Sequence, residues 1–380
     1  MGKLTVAIVM PTHFDVHSSL LNFLKTYEYL IKNRNVDVTL FTDSKNNIDY
    51  NNIKIEKINR IVGIPDYIGT GINKLFFLFG IPRFYYKGLD EKLKNFDVIT
   101  SNNPEFYAFA YQAYASAKKH NKRFVLRTSQ SVEGFFLFRL TKFLVCPFVK
   151  KAYDFSRFVI FSNPQAEERC LRLGLIDDRK RSIITGHATD TKCFKLMKVK
   201  KSSKKILLSV GGLYELKGHH IIIKALRKLM DKGNKNIELW IVGEGYYKES
   251  LQKLVISLNL EKQVKFLGAK GHNELAKIYN MSDVFVLANY QEITPAVNEA
   301  LACGKPVVVM ECGGMDFVIP DEIYGLRCKK FDAEDMAKKI NVLLKNKKLA
   351  AKIAANGRKR ILENFSIEKV ADKIYEAYTE

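Results

Sequence analysis

The sequence predicts an α/β protein with two parallel-sheet domains, and three observations carry this. Short aliphatic and β-branched runs such as LTVAIV, VDVTLF and VFVL alternate with amphipathic stretches of helical length from one end of the chain to the other. The runs read as buried strands. At 380 residues the chain is too long for one ordinary hydrophobic core. A polar, basic, aperiodic stretch, Lys195 to Lys205, then divides the alternation and marks a domain boundary.

Taken in order, LTVAIVMP is the first strand and lacks a cleavable-signal pattern. The loop after it, T-H-F-D-V-H-S-S, carries His13, His17 and Ser18 and leads into a helix from about Ser19 to Lys32. A serine there is explained by helix capping as readily as by a ligand. VDVTLFTD, FDVITSNNP and RFVLRTSQ continue the sheet, the last ending at Gln130. FVIFSNP and RSIITGHATDTKCF follow. Past the boundary, ILLSVGGLYELKGHH gives a strand, a loop with Gly211, Gly212 and Lys217, and a helix. IELWIVGEG adds Gly243, and VKFLGAKGH adds Gly268. DVFVLAN is a strand whose carboxyl end opens into Y-Q-E-I-T-P-A-V-N-E-A-L-A-C-G, a loop and a helix beginning near Pro295. The domains are therefore expected at 1–196 and 205–365, with a terminal amphipathic helix over 366–380.

That last loop and helix stand out chemically. Open α/β sheets place ligands at the carboxyl ends of strands, and a helix starting there aims unpaired N–H groups and its positive dipole end at the crevice. The amides at Thr294 to Ala296, with Pro295 between them, would suit a phosphate. Glu299, about one turn inside, can accept hydrogen bonds from paired hydroxyls such as those of a ribose. The plain alternative is a solvated first-turn glutamate.

Charge and cysteine usage bound the partners. Net charge is +22, and residues 101–200 hold 19 Lys and Arg against 8 Asp and Glu, an excess of 11. Such a field attracts nucleic acid, an anionic membrane or a charged substrate, or is simply a solvated basic face. Residues 72–89 and 134–151 interleave large apolar side chains with Lys and Arg. Neither supplies the ~20 apolar residues of a membrane span, so they read as interfacial segments or as core helices. Six scattered cysteines without zinc spacing, and no H-E-x-x-H, leave no recognisable metal site and suit a reducing compartment.

The segment Glu299 to Val307, E-A-L-A-C-G-K-P-V, resembles the signature of the retaining glycosyltransferases of family 4, which have the GT-B fold. The resemblance spans nearly the whole chain and implies two Rossmann-like domains facing a cleft, with the terminal helix crossing back to the first. It implies a hexose moved from a nucleotide diphosphate sugar, UDP- or GDP-linked, to a lipid-linked or polysaccharide hydroxyl, without metal or other cofactor. Lys217 and Gly218 match the family's donor loop, with Gly212 where an Arg is usual; Gly211, Gly243, Gly268 and Thr294 to Ala296 would complete the donor site with Glu299. The family's first acid falls on Gln291 by spacing or on Glu292 by residue type. Those two, with Lys217, are the catalytic candidates. His187 and Ala188 occupy the positions of an Asn-Gly turn, with Asp190 and Phe194 keeping the family spacing. His13, His17, Ser18 and Gln130 would lie on the acceptor side, and no His follows RFVLRTSQ. The expected setting is the cytoplasmic face of an anionic membrane, with no nucleic acid. A sugar-nucleotide epimerase or phosphorylase, or a non-catalytic basic membrane- or nucleic-acid-binding protein with a degenerate transferase fold, are the rival readings.

Overall fold

The structure, a computed structural model, describes residues 2–10, 18–44, 46, 49–63, 84–102, 108–129, 149–290 and 294–380. It divides into two compact units, residues 1–188 with 367–380, and residues 189–366. The polar Lys195 to Lys205 stretch thus lies inside the second unit, and the helix Ile367–Thr379 belongs to the first.

In the first unit β1 (Leu4–Val9), β2 (Val36–Asp43) and β3 (Lys54–Ile58) are followed by a short antiparallel pair, β4 (Arg60–Gly63) and β5 (Phe84–Tyr86). Then come β6 (Val98–Asn102), β7 (Arg123–Thr128), β8 (Phe158–Phe161) and β9 (Ser182–Ile184). The main sheet is parallel throughout, in the order β3-β2-β1-β6-β7-β8-β9. Consecutive burial along β1 is explained by cover on both faces, as parallel sheets require. Val6 and Ile8 pack into one core, with Tyr27, Leu40 and Ile374, while Ala7 and Val9 pack into the other, with Phe41, Ile99 and Phe109.

The helix Ile367–Thr379 covers the first of these faces. Its apolar stripe, Val370, Ala371, Ile374, Ala377 and Tyr378, is buried at helical spacing. Polar contacts fix its register: Arg34 pairs with Asp372 at 2.6 Å, the Tyr27 and Tyr378 hydroxyls meet at 2.8 Å, and Lys373 Nζ donates to the Ile184 carbonyl at 3.1 Å. Arg123 donates to the Tyr378 carbonyl, and Arg157 Nε to that of Glu380 at 3.0 Å. Several cations of the basic span 101–200 are therefore engaged in contacts within the protein, some of them at its surface. Arg181 donates to the carbonyls of Asp154 and Ser156, and Lys119 and Arg179 pair with Asp90 and Glu168.

The second unit repeats the plan with β10 (Lys205–Val210), β11 (Ile237–Val242), β12 (Val264–Phe266), β13 (Val284–Leu287), β14 (Val307–Met310) and β15 (Leu326–Cys328). All its pairings are parallel, in the order β12-β11-β10-β13-β14-β15. Leu207, Val286 and Val308 face one core, and Leu208, Phe285 and Val307 the other. No described helix is long and apolar enough to cross a membrane. The two aromatic-basic segments lie mostly outside the described residues; of them only residues 84–89 and 149–151 are described.

Candidate functional site

The order β12-β11-β10-β13-β14-β15 reverses direction between β10 and β13, and such a switch point opens a crevice at the carboxyl ends of the two strands. The loops leaving these strands are tied together. Gly218, at φ 67°, presses against the chain just past β13: a Cβ there would lie 2.2 Å from the Ala288 carbonyl oxygen. The Tyr290 amide donates to the Leu216 carbonyl at 3.4 Å. The loop after β11 closes onto the same place. Gly211 donates to the Val242 carbonyl at 3.0 Å, Leu213 to that of Glu244 at 2.8 Å, and Gly243 to that of Gly268 at 3.0 Å. At Gly243, φ 142°, an added Cβ would sit 1.9 Å from the Gly211 oxygen. Gly218 and Gly243 are thus explained first by backbone meeting backbone between loops, whereas a Cβ on Gly211 or Gly268 would meet only side chains. At Gly212 an added Cβ meets the Tyr214 ring at 2.5 Å, a side chain 40% exposed.

Lys217 ends a 3₁₀ turn, Glu215–Lys217, and is half-buried, with its aliphatic stem folded along Gly211. Beneath the loop lies His219, 1% exposed, its Nδ1 3.1 Å from Ser209 Oγ. Burial pushes its pKa down to about 4, against the raising effect of backbone acceptors at Gly212 and Gly211 and with help from the Lys217 charge. A neutral His219 therefore props the glycine loop from below. Sequence reasoning passed over it, although a histidine in the first turn of His219–Asp231, at the positive end of the dipole, is a place where a charged ring is disfavoured.

The sign of the pH dependence follows. Between pH 6.5 and 4 the unfolded chain takes up protons that folded His219 and His187 refuse, so stability falls as pH falls through that window. The loss is on the order of 3 kcal/mol for His219 and less for half-buried His187. Urea midpoints taken from pH 7 down to 4.5 should drop, and His219→Gln should flatten the slope. A wild-type profile that stays flat there would remove both assignments.

The helix Pro295–Ala302 follows β13. Thr294 occupies the N-cap in an extended conformation (φ −116°, ψ 151°), makes no side-chain cap bond, and leaves its buried Oγ1 unpartnered among the described residues. Pro295 is at the first helical position, where its missing N–H costs nothing. Glu299 corrects the expectation of a side chain beside an open crevice. It is 1% exposed, and its Oε2 accepts a 3.0 Å hydrogen bond from the Tyr279 hydroxyl, which also reaches the Ala296 carbonyl at 3.2 Å. Burial, and then the Glu299 charge, hold the Tyr279 pKa well above the usual phenol range. Tyr279 therefore remains a donor. His13, His17, Gln130, Gln291 and Glu292 lie outside the described residues; Ser18 opens the helix Ser18–Asn33.

The first unit has a pocket at the carboxyl ends of β6, β7, β8 and β9, lined by Asn102, Arg127, Ser129, Ser162, Thr185 and His187 among others. His187 stands in the turn read from sequence as a variant Asn-Gly, and the fold carries it back beside Arg127. Burial and that guanidinium lower its pKa to about 4. A histidine thus does reach the end of RFVLRTSQ, from a different segment. Asp190 and Phe194 shape the turn beyond it: Asp190 Oδ1 accepts from the Lys192 and Cys193 amides at 3.1 and 3.0 Å, and buried Phe194 packs on Tyr279.

Residues 195–360 match the family described as glycosyl transferases group 1. That match takes in fewer than half of the chain's 380 residues. An uncharacterized glycosyltransferase of Haemophilus influenzae is 30% identical over 46% of this chain and 49% of its own length. The chain thus spans about half the length of several curated relatives it matches, including that one. The N,N'-diacetylbacillosaminyl-diphospho-undecaprenol alpha-1,3-N-acetylgalactosaminyltransferase of Campylobacter jejuni is 28% identical over 74% of this chain and 77% of that one. Among solved structures, the sucrose-phosphate synthase of Thermosynechococcus elongatus superposes with a TM-score of 0.77 at 20% identity, covering 99% of this chain and 98% of that one. The fold is GT-B. The group 1 match falls within the second unit, which holds Lys217, Glu299 and the joined loops.

Proposed function

We propose that this protein is a group 1 glycosyl transferase that moves a hexose, with retention, from a nucleotide diphosphate sugar to a lipid-linked or polysaccharide hydroxyl. The observation that carries the reading is the joining of the loops after β10 and β13 at the switch point, beside a helix N-terminus and Lys217. Lys217 and the first amides of Pro295–Ala302 would take the diphosphate charge as the glycosidic bond breaks, Glu299 the ribose hydroxyls, and Glu292 or Gln291 the sugar. The leaving phosphate would accept the acceptor's proton on the same face. Such chemistry asks the protein for positioning and for stabilisation of developing charge, with no further cofactor. Lys217 is a point charge rather than a fork, and with Gly212 in place of an Arg its loop would offer the diphosphate no second cation.

The named Campylobacter relative supports a lipid-linked acceptor, and the basic excess in residues 101–200 supports attachment at the cytoplasmic face of an anionic membrane. A thermal-shift panel of UDP-, GDP- and ADP-sugars, with salt-dependent sedimentation on anionic liposomes beside it, tests the two halves. One nucleotide sugar at a hundredfold its Kd should stabilise by about 2.7 kcal/mol. If none of the panel raises Tm, the donor assignment fails; liposomes that leave the protein in solution at low salt remove the membrane.

A further inference from the structure

We infer that the pocket at the carboxyl ends of β6 to β9 binds a phosphate group of the acceptor. The word acceptor rests on the transferase reading above; the phosphate rests on what lines the pocket. Its polar wall is made by Asn102, Arg127, Ser129, Ser162, Thr185 and His187, with no carboxylate among the described lining residues. An oxyanion is attracted by the Arg127 charge, meets no described carboxylate to repel it, and can take the hydroxyls of Ser129, Ser162 and Thr185 as donors, since each can turn its O–H toward it. The space, about 140 Å³, is far below the roughly 300–1,000 Å³ that enclose a nucleotide-sized ligand, and suits a single phosphate.

Arg127 is built in rather than draped over the surface. Its Nη1 donates to the Tyr27 hydroxyl at 2.7 Å, and the guanidinium lies over the Phe23 and Tyr27 rings, 5.0 and 5.8 Å from their centroids. No carboxylate among the described residues pairs with it. A guanidinium held in this way presents its remaining N–H groups as a fixed fork, the geometry that matches phosphate oxygens. Ser162 is set by the next residue: Asn163 caps the helix Pro164–Arg172 through the Ala166 amide and donates to Ser162 Oγ at 3.1 Å. A neutral His187 adds an N–H donor without a second charge to repel or compete.

The test titrates the full chain with inorganic phosphate at fixed ionic strength, with the donor site saturated by UDP or GDP, whichever the panel selects. Saturable binding is expected. Arg127→Gln should weaken it about tenfold or more, and Ser162→Ala, which leaves the Tyr27 contact intact, severalfold. Far-UV circular dichroism checks that the Arg127 variant folds. Phosphatidic acid vesicles and N-acetylglucosamine 1-phosphate are then tried as competitors. Displacement by the first marks a lipid-borne phosphate, by the second a soluble one, and by neither overturns the assignment to an acceptor. Absence of saturable binding, binding that vanishes when nucleotide is present, or equal affinity in both variants overturns the site. Should no nucleotide shift Tm, the titration is run without one; phosphate binding that depends on Arg127 would then uphold an anion site while the transferase reading fails.

Discussion

Replacing Gly243 by alanine should cost the second unit about 4 kcal/mol or more and abolish its response to any nucleotide sugar. The new methyl carbon would lie 1.9 Å from the Gly211 oxygen and 2.8 Å from its carbonyl carbon. Both atoms are backbone, anchored by the 3.0 Å bond from the Gly211 amide to Val242, so nothing can swing aside. The φ of 142° adds strain of its own. Gly233→Ala is the control. It too sits at positive φ, 86°, but a Cβ there has nothing within 4 Å, so its cost should be about 1 kcal/mol. Urea unfolding of the pair settles the matter; equal midpoints would show that the loops can separate without penalty.

At Glu299 the expected result splits by variant. Glu299→Gln keeps the volume and an acceptor for Tyr279, and should weaken donor binding about ten- to a hundredfold by removing a charged hydrogen-bond partner. Glu299→Ala should add a stability loss of about 2 kcal/mol, since the residue is 1% exposed and Tyr279 loses one of its two acceptors. Calorimetry with the nucleotide sugar chosen by the panel separates the effects. Unchanged affinity in the glutamine variant would take Glu299 out of the donor site.

The contrast between these two residues shows where the sequence is readable. Strands such as Val6 to Val9 declare themselves because parallel pairing buries both faces, and the composition of each run carries that demand locally. The helix at Pro295 is equally legible from its proline and the apolar run behind it. Gly243 is different. Its reason is an atom of Gly211, on a separate strand-loop junction, and no local pattern encodes a contact across that gap. His187 and Arg127 meet for the same kind of reason, through the adjacency of β7, β8 and β9. Glu299 was placed on its helix correctly but at the wrong depth, because the face that turns inward depends on Tyr279 in a neighbouring helix.

The chain's route has a consequence for how the protein is made. The first unit is interrupted after residue 188 and completed only by residues 367–380. A ribosome must therefore produce the whole of the second unit before the first can bury Tyr27, Leu24 and their neighbours under Ile367–Thr379. At roughly 5–20 residues per second the wait is on the order of ten to forty seconds. During that time the part of this apolar face that Ile367–Thr379 will cover stays open to water beside the helix Ser18–Asn33, an aggregation hazard that lasts until the chain is finished.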